Sequence, residues 1–242
     1  MARSRLFYTN LIKLQKIQKF FEVENLFLEK EKSPLLKLKL LKWPTRPLII
    51  IMAGCHGEEI APVLALFKYY QEIYNQALKS KINLIIYPLV NPWGFARKKR
   101  LNRKGLNCNK NWVHKTKSKV AVEIKAIKND LKKVKPKIFI TLHEDKSADK
   151  FYLYYYGQAK YKNLILKIGT KFFNLLNGKN SDKYFIKNGN ISNVHDTSAE
   201  YYMSHKKSIA FSCCTETPSK QLMRLRLKCN KEIIINIIKL AA

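Results

Sequence analysis

Residues 47–59 read PLIIIMAGCHGEE, an apolar run that ends in a group of polar and titratable side chains. The run from Pro47 to Ala53 predicts a buried strand, because a short continuous stretch of Leu, Ile and Met suits a strand covered on both faces. From Ala61 to Leu78 the apolar residues recur at helical spacing and form one apolar face. A buried strand followed by an amphipathic helix is the building unit of α/β proteins.

The same pattern recurs along the chain. Further buried strands are predicted at Asn83 to Val90, Lys137 to Leu142 and Ile209 to Cys214, and further helices at Leu11 to Phe21, Val120 to Val134 and Ser219 to Leu240. Because strands and helices alternate, we expect an α/β sheet with helices on its faces. The sequence contains no internal repeat, linker or low-complexity segment, so residues 1–242 are predicted to form a single domain.

The composition excludes several classes of protein. The chain has 242 residues, of which 46% are hydrophobic, and five cysteines. This apolar content is too high for a disordered protein, and the cysteines are too sparse for a disulfide framework. Their odd number, with Cys213 and Cys214 adjacent, indicates reduced thiols. No apolar run reaches the roughly 18 residues of a membrane span, and Lys13 and Lys16 interrupt any signal-peptide core, so we expect a cytoplasmic protein without a membrane span.

The charge is strongly positive. Lysine and arginine number 47 against 17 acidic residues, which gives a formal net charge of +30. Clustered cations would indicate a nucleic-acid partner, because they release counterions on binding. Here the excess is spread along the chain and consists mostly of lysine, whereas base recognition relies on arginine. We therefore expect no nucleic-acid partner, although the charge favours acidic substrates.

Each predicted strand ends in residues that can bind a ligand or a metal ion. These groups are Gly54 to Glu59, Asn91 to Gly94, His143 to Asp145 and Thr215 to Pro218. Open α/β sheets bind ligands beyond the carboxyl ends of their strands. The four groups are therefore expected to converge on one site.

His56, Glu59 and His143 are the candidate metal ligands. The spacing H-x-x-E on a helical turn lets His56 and Glu59 face the same point and supply two of the three protein ligands of a catalytic zinc ion. His143, at the end of the third strand, is the natural third ligand. Taken singly, the H-x-x-E pair is also explained as an exposed loop, and His143 as a hydrogen-bonded residue of the core or rim. The other histidines have no carboxylate at such a spacing and are expected at the surface: His114, His195 and His205.

Glu216 follows the fourth apolar run. A carboxylate beside a dry metal site can act as a general base toward water and then protonate a leaving amine. The alternative is a strand-end glutamate in solvent, which is the simpler reading of Glu216 taken alone but not of all four groups together. If Glu216 is not the base, Glu144 and Asp145 are the next candidates.

Four segments taken together resemble a known enzyme family: GCHGEE, NPWGFARKKRLNRKGLNCNKNW, TLHED and TETP. In this order and at these separations they look like the zinc carboxypeptidases of the carboxypeptidase A type, particularly the short bacterial members that act on murein peptides. The resemblance implies a three-layer α/β/α sandwich around a mixed, mostly eight-stranded sheet, with a catalytic core over about residues 45–240. It also implies one zinc ion per chain, held by His56, Glu59 and His143, and Glu216 as general base.

The resemblance extends to substrate-binding residues. Arg100 is the best match for the arginine that polarises the scissile carbonyl and stabilises the oxyanion, and Arg103 competes because the spacing is loose. Asn109 and Lys110 match an Asn-Arg pair that grips the terminal carboxylate of the substrate. Lysine replaces arginine here, and an ammonium group cannot hold a carboxylate in a planar bidentate clamp. Strict exopeptidase selectivity is therefore in question.

Two further positions depart from the family pattern. Asn107 stands where the family usually has an aspartate that accepts a hydrogen bond from a zinc-ligand histidine. An amide oxygen orients the ring but lends it less basicity, which predicts a lower metal affinity. The family's mobile tyrosine has no unambiguous match, because Tyr201 and Tyr202 lie at a plausible distance from Glu216 but are equally explained by packing against the sheet.

Three functions remain open on the sequence. The leading interpretation is a zinc metallocarboxypeptidase that hydrolyses a peptide or amide bond in a peptide-like substrate, with water activated by zinc and Glu216. The first alternative is an N-acyl amino acid deacylase of the related succinylglutamate desuccinylase and aspartoacylase group, although Gly94–Phe95 and Thr215–Pro218 favour the carboxypeptidase side. The second is a degenerate, non-catalytic binding protein, suggested by Asn107 and Lys110. The oligomeric state is left open.

Overall fold

The structure, a computed structural model, describes residues 15–26, 34–113, 119–180, 184–192, 194 and 196–242. Its strands are β1 (Glu22–Asn25), β2 (Leu36–Leu40), β3 (Leu48–Ala53), β4 (Asn83–Tyr87), β5 (Ile138–Asp145), β6 (Tyr152–Gly157), β7 (Gly178–Lys179), β8 (Phe185–Ile186), β9 (Asn190–Ser192) and β10 (Phe211–Pro218). Its helices are α1 (Ile60–Ser80), α2 (Pro92–Arg97), α3 (Val122–Asp130), α4 (Ala159–Gly169), α5 (Ala199–Lys207) and α6 (Met223–Ala241).

Within the described residues, eight strands form one mixed sheet in the order β1-β2-β4-β3-β5-β10-β6-β9, and β7 pairs with β8 separately. The central strands β4, β3, β5 and β10 are parallel neighbours. On the flanks, β2 runs antiparallel to β4, and β6 runs antiparallel to β10. Because the four central strands end at the same edge, the residues at their carboxyl ends are brought together.

Alternate residues of the central strands face two separate cores. In β3, Ile49 and Ile51 pack in one core with α1, α4 and α6, whereas Ile50 and Met52 pack in the other with α3 and α5. This two-residue alternation is the normal consequence of strand geometry. The helices therefore cover both faces of the sheet, which confirms the predicted three-layer α/β/α sandwich.

Two central strands are longer than predicted. β5 continues through Asp145 and β10 through Pro218, so His143 and Glu216 lie within strands rather than after them. The extension is possible because β5 and β10 remain paired to their ends, with His143 directly opposite Glu216. Two polar side chains are thereby placed side by side in the sheet.

The helices differ from the prediction mainly at their ends. The third helix covers only Val122–Asp130, because the chain turns at Leu131. Of the helix predicted over Leu11 to Phe21, residues 15–17 are helical and the part before residue 15 lies outside the described residues. The sheet also includes β1 and β2, which precede residue 45 and were not predicted. None of the helices in the described ranges combines the length and apolarity needed to cross a membrane.

Candidate active site

The candidate metal ligands lie at the carboxyl edge of the sheet. His56 and Glu59 occupy the turn between β3 and α1, and His143 lies in the adjacent strand β5. The sequence predicted the H-x-x-E pair on a helical turn, but the structure places it just before the helix, with Glu59 as the N-cap residue of α1. The two side chains still converge, because the N–H of Glu59 donates to the carbonyl of His56 at 3.2 Å and closes the turn.

All three side chains are buried, and their donor atoms meet at one point. Nδ1 of His56 lies 2.6 Å from Oε1 of Glu59, and Nδ1 of His143 lies 2.7 Å from Oε2. The two Nδ1 atoms are 3.2 Å apart. Ligand atoms around a tetrahedral zinc ion with bonds of ~2.0–2.1 Å are roughly 3.3 Å apart. The three residues are therefore close to the spacing that one such ion requires.

Asn107 orients His56. Its Oδ1 lies 3.0 Å from Nε2 of His56 and also accepts a hydrogen bond from the N–H of Asn109 at 2.7 Å. Only the oxygen of an amide can accept the hydrogen bond from the N–H of Asn109, so the Asn107 atom that faces Nε2 of His56 is this same oxygen. An oxygen acceptor requires a donor, and Nε2 of His56 therefore carries the proton. The lone pair of Nδ1 then faces Glu59 and His143, as a metal ligand requires. Asn107 thus makes the contact predicted for it.

The donor set fits a metal ion. Oε2 of Glu59 is buried and has no hydrogen bond of acceptable geometry within the described residues, even though Nδ1 of His143 is 2.7 Å away. Two imidazoles and one carboxylate are donors that zinc accepts readily.

The charges of the cluster depend on one another. Burial alone would raise the pKa of Glu59, but the imidazoles of His56 and His143 hold that pKa well below its usual range. Burial would likewise lower the pKa of His143, but the carboxylate of Glu59 raises it well above its ordinary value. The carboxylate of Glu59 consequently stays ionised, which is the form that binds a cation.

Residues 91–100 pack tightly against the metal-ligand turn. The side-chain oxygen of Asn91 caps α2 by accepting a hydrogen bond from the N–H of Gly94 at 2.9 Å. Gly57 donates its N–H to the carbonyl of Lys99 at 3.1 Å. A Cβ at Gly57 would lie 1.9 Å from the carbonyl carbon of Gly94, so only glycine permits this approach. The two sequence segments are thereby held together.

This packing brings Arg100 to the cluster of candidate metal ligands. Its Nη1 lies 3.4 Å from Oε1 of Glu59 and 3.6 Å from Oε1 of Glu58, while 47% of the side chain stays exposed. Arg103, the other candidate, is exposed and lines neither of the two cavities at the cluster. Of the two arginines, the structure therefore places Arg100 at the site.

Glu216 adjoins the cluster from β10. Its carboxylate lies within 4.8 Å of a ring nitrogen of His143. Burial raises the pKa of Glu216 well above that of an ordinary carboxyl group, and the negative charges of Glu59 and Asp145 act in the same direction. A carboxylate with a raised pKa is the more effective proton acceptor.

The other two candidate bases are occupied elsewhere. Glu144 is buried, accepts a hydrogen bond from the N–H of Ala61 at 2.8 Å and pairs with Arg226 at 2.5 Å. Asp145 accepts hydrogen bonds from the hydroxyls of Ser147 and Tyr152, which counteract its burial and lower its pKa. Both carboxylates therefore serve the local structure.

Two cavities meet at Arg100 and Glu216. The narrower one is also lined by His56, Asn109 and Lys110. Asn109 is buried, and its Oδ1 has no hydrogen-bond partner among the described residues, so it is available to a ligand. The wider cavity, of about 320 Å³, extends along Glu58, Lys146 and Tyr152. The structure thus brings the proposed metal ligands, Glu216, Arg100, Asn109 and Lys110 together at one edge of the sheet, but not Arg103.

The two candidate tyrosines lie outside the narrow cavity. Tyr201 stacks on His205, and Tyr202 packs against Trp112. Neither lines the narrow cavity, whereas Tyr154 and Tyr184 do. Tyr154 lies in β6, whose residues 152–156 read YLYYY, and nothing in this pattern distinguishes it from the other tyrosines.

Acidic residues on the far wall of the narrow cavity were also missed: Asp196 and Glu200, with Ser198 between them. Glu200 is buried and accepts a hydrogen bond from the hydroxyl of Thr141. These residues lie in the segment before α5 and in its first turn, where no apolar run predicted a strand end. His205 is exposed, as predicted, while His114 and His195 lie outside the described residues.

Comparison with known families places the chain in a defined group. Residues 45–182, more than half of the chain, match the model of the succinylglutamate desuccinylase/aspartoacylase catalytic domain. The matched range includes His56, Glu59 and His143. No curated protein sequence matches the chain.

Solved structures share the fold over nearly the whole chain. A protein of Shewanella baltica assigned as a metallopeptidase is 24% identical, with a TM-score of 0.85 over 96% of this chain and 91% of that one. A similar protein of Shewanella amazonensis is 24% identical, with a TM-score of 0.84 over 99% and 93% of the two chains. A metallo-carboxypeptidase of Burkholderia cenocepacia is 16% identical, with a TM-score of 0.74 over 95% and 67%. The fold is therefore carboxypeptidase-like, as predicted.

Proposed function

Because the chain belongs to the succinylglutamate desuccinylase/aspartoacylase catalytic-domain family and is a metal-dependent hydrolase with a carboxypeptidase-like fold, we propose that it is a zinc metallocarboxypeptidase. Its substrate is a peptide or peptide-like amide whose leaving amine carries a free carboxylate. The observation that supports this proposal is the convergence of His56, Glu59 and His143 with Glu216 and Arg100 at one edge of the sheet.

His56, Glu59 and His143 would hold the zinc ion, one per chain. When bound, zinc would supply a Lewis acid that polarises a carbonyl oxygen and makes water more acidic. Asn107 keeps His56 in the tautomer that presents Nδ1. The packing of Gly57 against residues 91–100 holds the ligand turn in place.

Glu216 is the proposed general base. It takes a proton from the attacking water and delivers that proton to the nitrogen of the leaving amine. Its position opposite His143 in the sheet keeps the carboxylate next to the candidate metal ligands. The raised pKa of Glu216 favours the first half of this transfer, in which the carboxylate accepts the proton from water.

Arg100 is proposed to stabilise the negative charge that develops on the carbonyl oxygen. In the structure its guanidinium forms long ion pairs, at 3.4 and 3.6 Å, with Glu59 and Glu58. Such a half-exposed arginine can move to a substrate oxygen at little cost, because its present contacts are weak.

Asn109 and Lys110 are proposed to bind the free carboxylate of the substrate. They lie beside each other on the narrow cavity, and Oδ1 of Asn109 already lacks a hydrogen-bond partner among the described residues. The ammonium group of Lys110 supplies charge but not bidentate geometry, so we expect carboxylate recognition to be looser than with arginine.

The wider cavity favours a peptide over a small acyl compound. It continues from Arg100 and Glu216 past Lys146 to Tyr152 and measures about 320 Å³. A substrate with its carboxylate in the narrow cavity can therefore extend beyond the scissile bond on the acyl side. Murein-type and acidic peptides are the first to test, and the five free cysteines agree with action in the cytoplasm.

A second candidate is an N-acyl amino acid deacylase. The family match over residues 45–182 favours it, and N-acyl amino acids present the same amide with a neighbouring carboxylate. The two functions differ on the acyl side, where a deacylase needs only a short group.

One experiment separates the possibilities. We would measure zinc by elemental analysis and hydrolysis of matched substrates: murein stem peptides, acidic peptides, N-succinylglutamate and N-acetylaspartate. Stoichiometric zinc with faster cleavage of the peptides supports the carboxypeptidase. Faster cleavage of the N-acyl amino acids would establish the deacylase. If the zinc-loaded protein binds these substrates but cleaves none of them, it is a binding protein.

A further inference from the structure

A third cavity, larger than the two at the candidate active site, lies at the opposite edge of the sheet. We propose that this groove binds a nucleoside phosphate, and nothing in the proposed hydrolytic function requires it. Its volume is about 760 Å³. Three connections form its walls: residues 41–48 between β2 and β3, residues 135–137 before β5, and residues 208–210 before β10. A groove of this size suits one small ligand.

The charge of the groove has a single sign. Four cationic side chains line it, and none of the described lining residues is acidic: Lys42, Arg46, Lys135 and Lys137. The first three are exposed and form no ion pair with any residue that the structure describes. Lys137 donates to the carbonyl of Ala241 at 3.1 Å. Cations contributed by two of the three connections suit a multiply charged anion such as a phosphate chain.

Trp43 provides an aromatic surface in the same groove. Its side chain is half-buried and is flanked by Pro44, while Pro47 and Pro136 also line the groove. An indole ring at a partly exposed position is a stacking surface for a planar base. An aromatic ring beside several cations favours a ligand that is both planar and anionic, which describes a nucleotide better than it describes a simple anion.

The wall that carries Trp43 is held rigidly. The buried side chain of Asn83 accepts hydrogen bonds from the N–H groups of Lys42 and Trp43 at 2.9 and 3.1 Å. Its amide nitrogen donates to the carbonyls of Trp43 and Arg46 at 2.6 and 3.2 Å. One side chain thus makes four hydrogen bonds to the backbone of this connection, so the backbone that carries the ring and the neighbouring cations is positioned before a ligand arrives.

The groove is separate from the hydrolytic site. His56 follows the carboxyl end of β3, whereas Leu48 begins β3 at the groove. A strand of six residues spans about 20 Å. Occupation of the groove can therefore be measured independently of the metal site.

The test is to titrate the full-length protein with ATP, adenosine, tripolyphosphate and a 12-nucleotide RNA. Calorimetry and tryptophan fluorescence measure the binding in each titration. We expect one ATP per chain, with adenosine and tripolyphosphate each binding at least tenfold more weakly. Trp43→Ala and the double variant Lys42→Ala/Arg46→Ala should each weaken ATP binding at least tenfold. The fluorescence change on ATP binding should be lost in Trp43→Phe, although this variant retains part of the affinity.

A matched control removes the same charge elsewhere. Lys167→Ala/Lys171→Ala changes two exposed lysines around the end of α4 and should leave ATP affinity unchanged. The proposal is overturned if ATP does not bind, or if the control loses as much affinity as the groove variant. Equal binding of tripolyphosphate and ATP with no effect of Trp43→Ala would reduce the groove to a patch of charge. RNA binding at least tenfold tighter than ATP would identify a different ligand.

Discussion

The Nε2–H of His56 donates to Oδ1 of Asn107 at 3.0 Å and joins two residues that are 51 positions apart in the sequence. A neutral amide orients the ring but does not increase its basicity as a carboxylate would. We therefore predict that Asn107→Asp binds zinc more tightly than the wild type. Asn107→Ala, which leaves the ring without its partner, should bind zinc roughly 10- to 100-fold more weakly. Competition with a chelator of known affinity measures both effects.

The control for this prediction is Asn163→Asp, which adds the same charge on the exposed surface of α4. Its zinc affinity should equal that of the wild type. An equal gain in both aspartate variants would mean that net charge, rather than the contact with His56, determines the affinity.

His143 is predicted to be indispensable for zinc binding. His143→Ala removes one of three protein ligands and leaves a site from which zinc dissociates readily, so most of the metal should be lost on dialysis. The measurement is zinc content per chain, with His205→Ala as the matched histidine control, since His205 stacks on Tyr201 away from the cluster. Full retention of zinc in His143→Ala would remove His143 from the metal site.

The buried pair of Glu144 and Arg226 is predicted to be important for stability. The pair connects β5 to α6, and Glu144 also accepts the N–H of Ala61 in α1. Arg226→Met leaves a buried carboxylate without its cation, which should lower the free energy of unfolding by about 3 kcal/mol or more. Urea unfolding measures the loss.

The double variant Glu144→Gln/Arg226→Met tests whether the unpaired buried charge causes this loss of stability. It removes both charges, so much of the lost stability should return. Arg224→Met, at an exposed position of the same helix, should change stability little. A double variant that is no more stable than Arg226→Met would show that packing of the arginine side chain, and not the buried charge, dominates.

The central part of this fold was predictable from local patterns. The strands β3, β4, β5 and β10 are short apolar runs, and parallel strands necessarily bring their carboxyl ends together. That rule alone placed His56, His143 and Glu216 near one another. It did not show that His143 and Glu216 are cross-strand partners, because the pairing of β5 with β10 depends on contacts about 70 residues apart.

The flanking strands and the far wall of the site were not predictable in this way. β2 reads LKLKL, in which the buried Lys37 pairs with Glu24 of β1 at 3.2 Å and with Asp130, 93 residues away, at 2.7 Å. A buried lysine cannot be inferred from its neighbours in sequence. Tyr154 and Glu200 reach the narrow cavity through β6 and α5, whose positions follow from long-range pairing rather than from local pattern.

Glu216 is predicted to transfer protons and not to bind the metal ion. Glu216→Gln keeps the shape of the side chain but cannot accept a proton, so turnover should fall by roughly 10²-fold or more while the zinc content is unchanged. Glu22→Gln, at an exposed position of β1, is the matched control and should retain full activity. Wild-type turnover in Glu216→Gln would place the base elsewhere, and loss of zinc would make Glu216 a ligand.

Lys110 is predicted to recognise the substrate carboxylate. It lines the narrow cavity beside Asn109, so Lys110→Ala should weaken binding, whereas Lys110→Arg should preserve or tighten it by restoring bidentate geometry. The measurement is kcat/KM on matched peptides with a free and an amidated C-terminus, because loss of a carboxylate contact affects only the free form. Lys104→Ala, at an exposed position of the same loop, controls for charge. If the wild type cleaves both peptides equally well, Lys110 does not bind the carboxylate, and the enzyme acts as an amidase or endopeptidase.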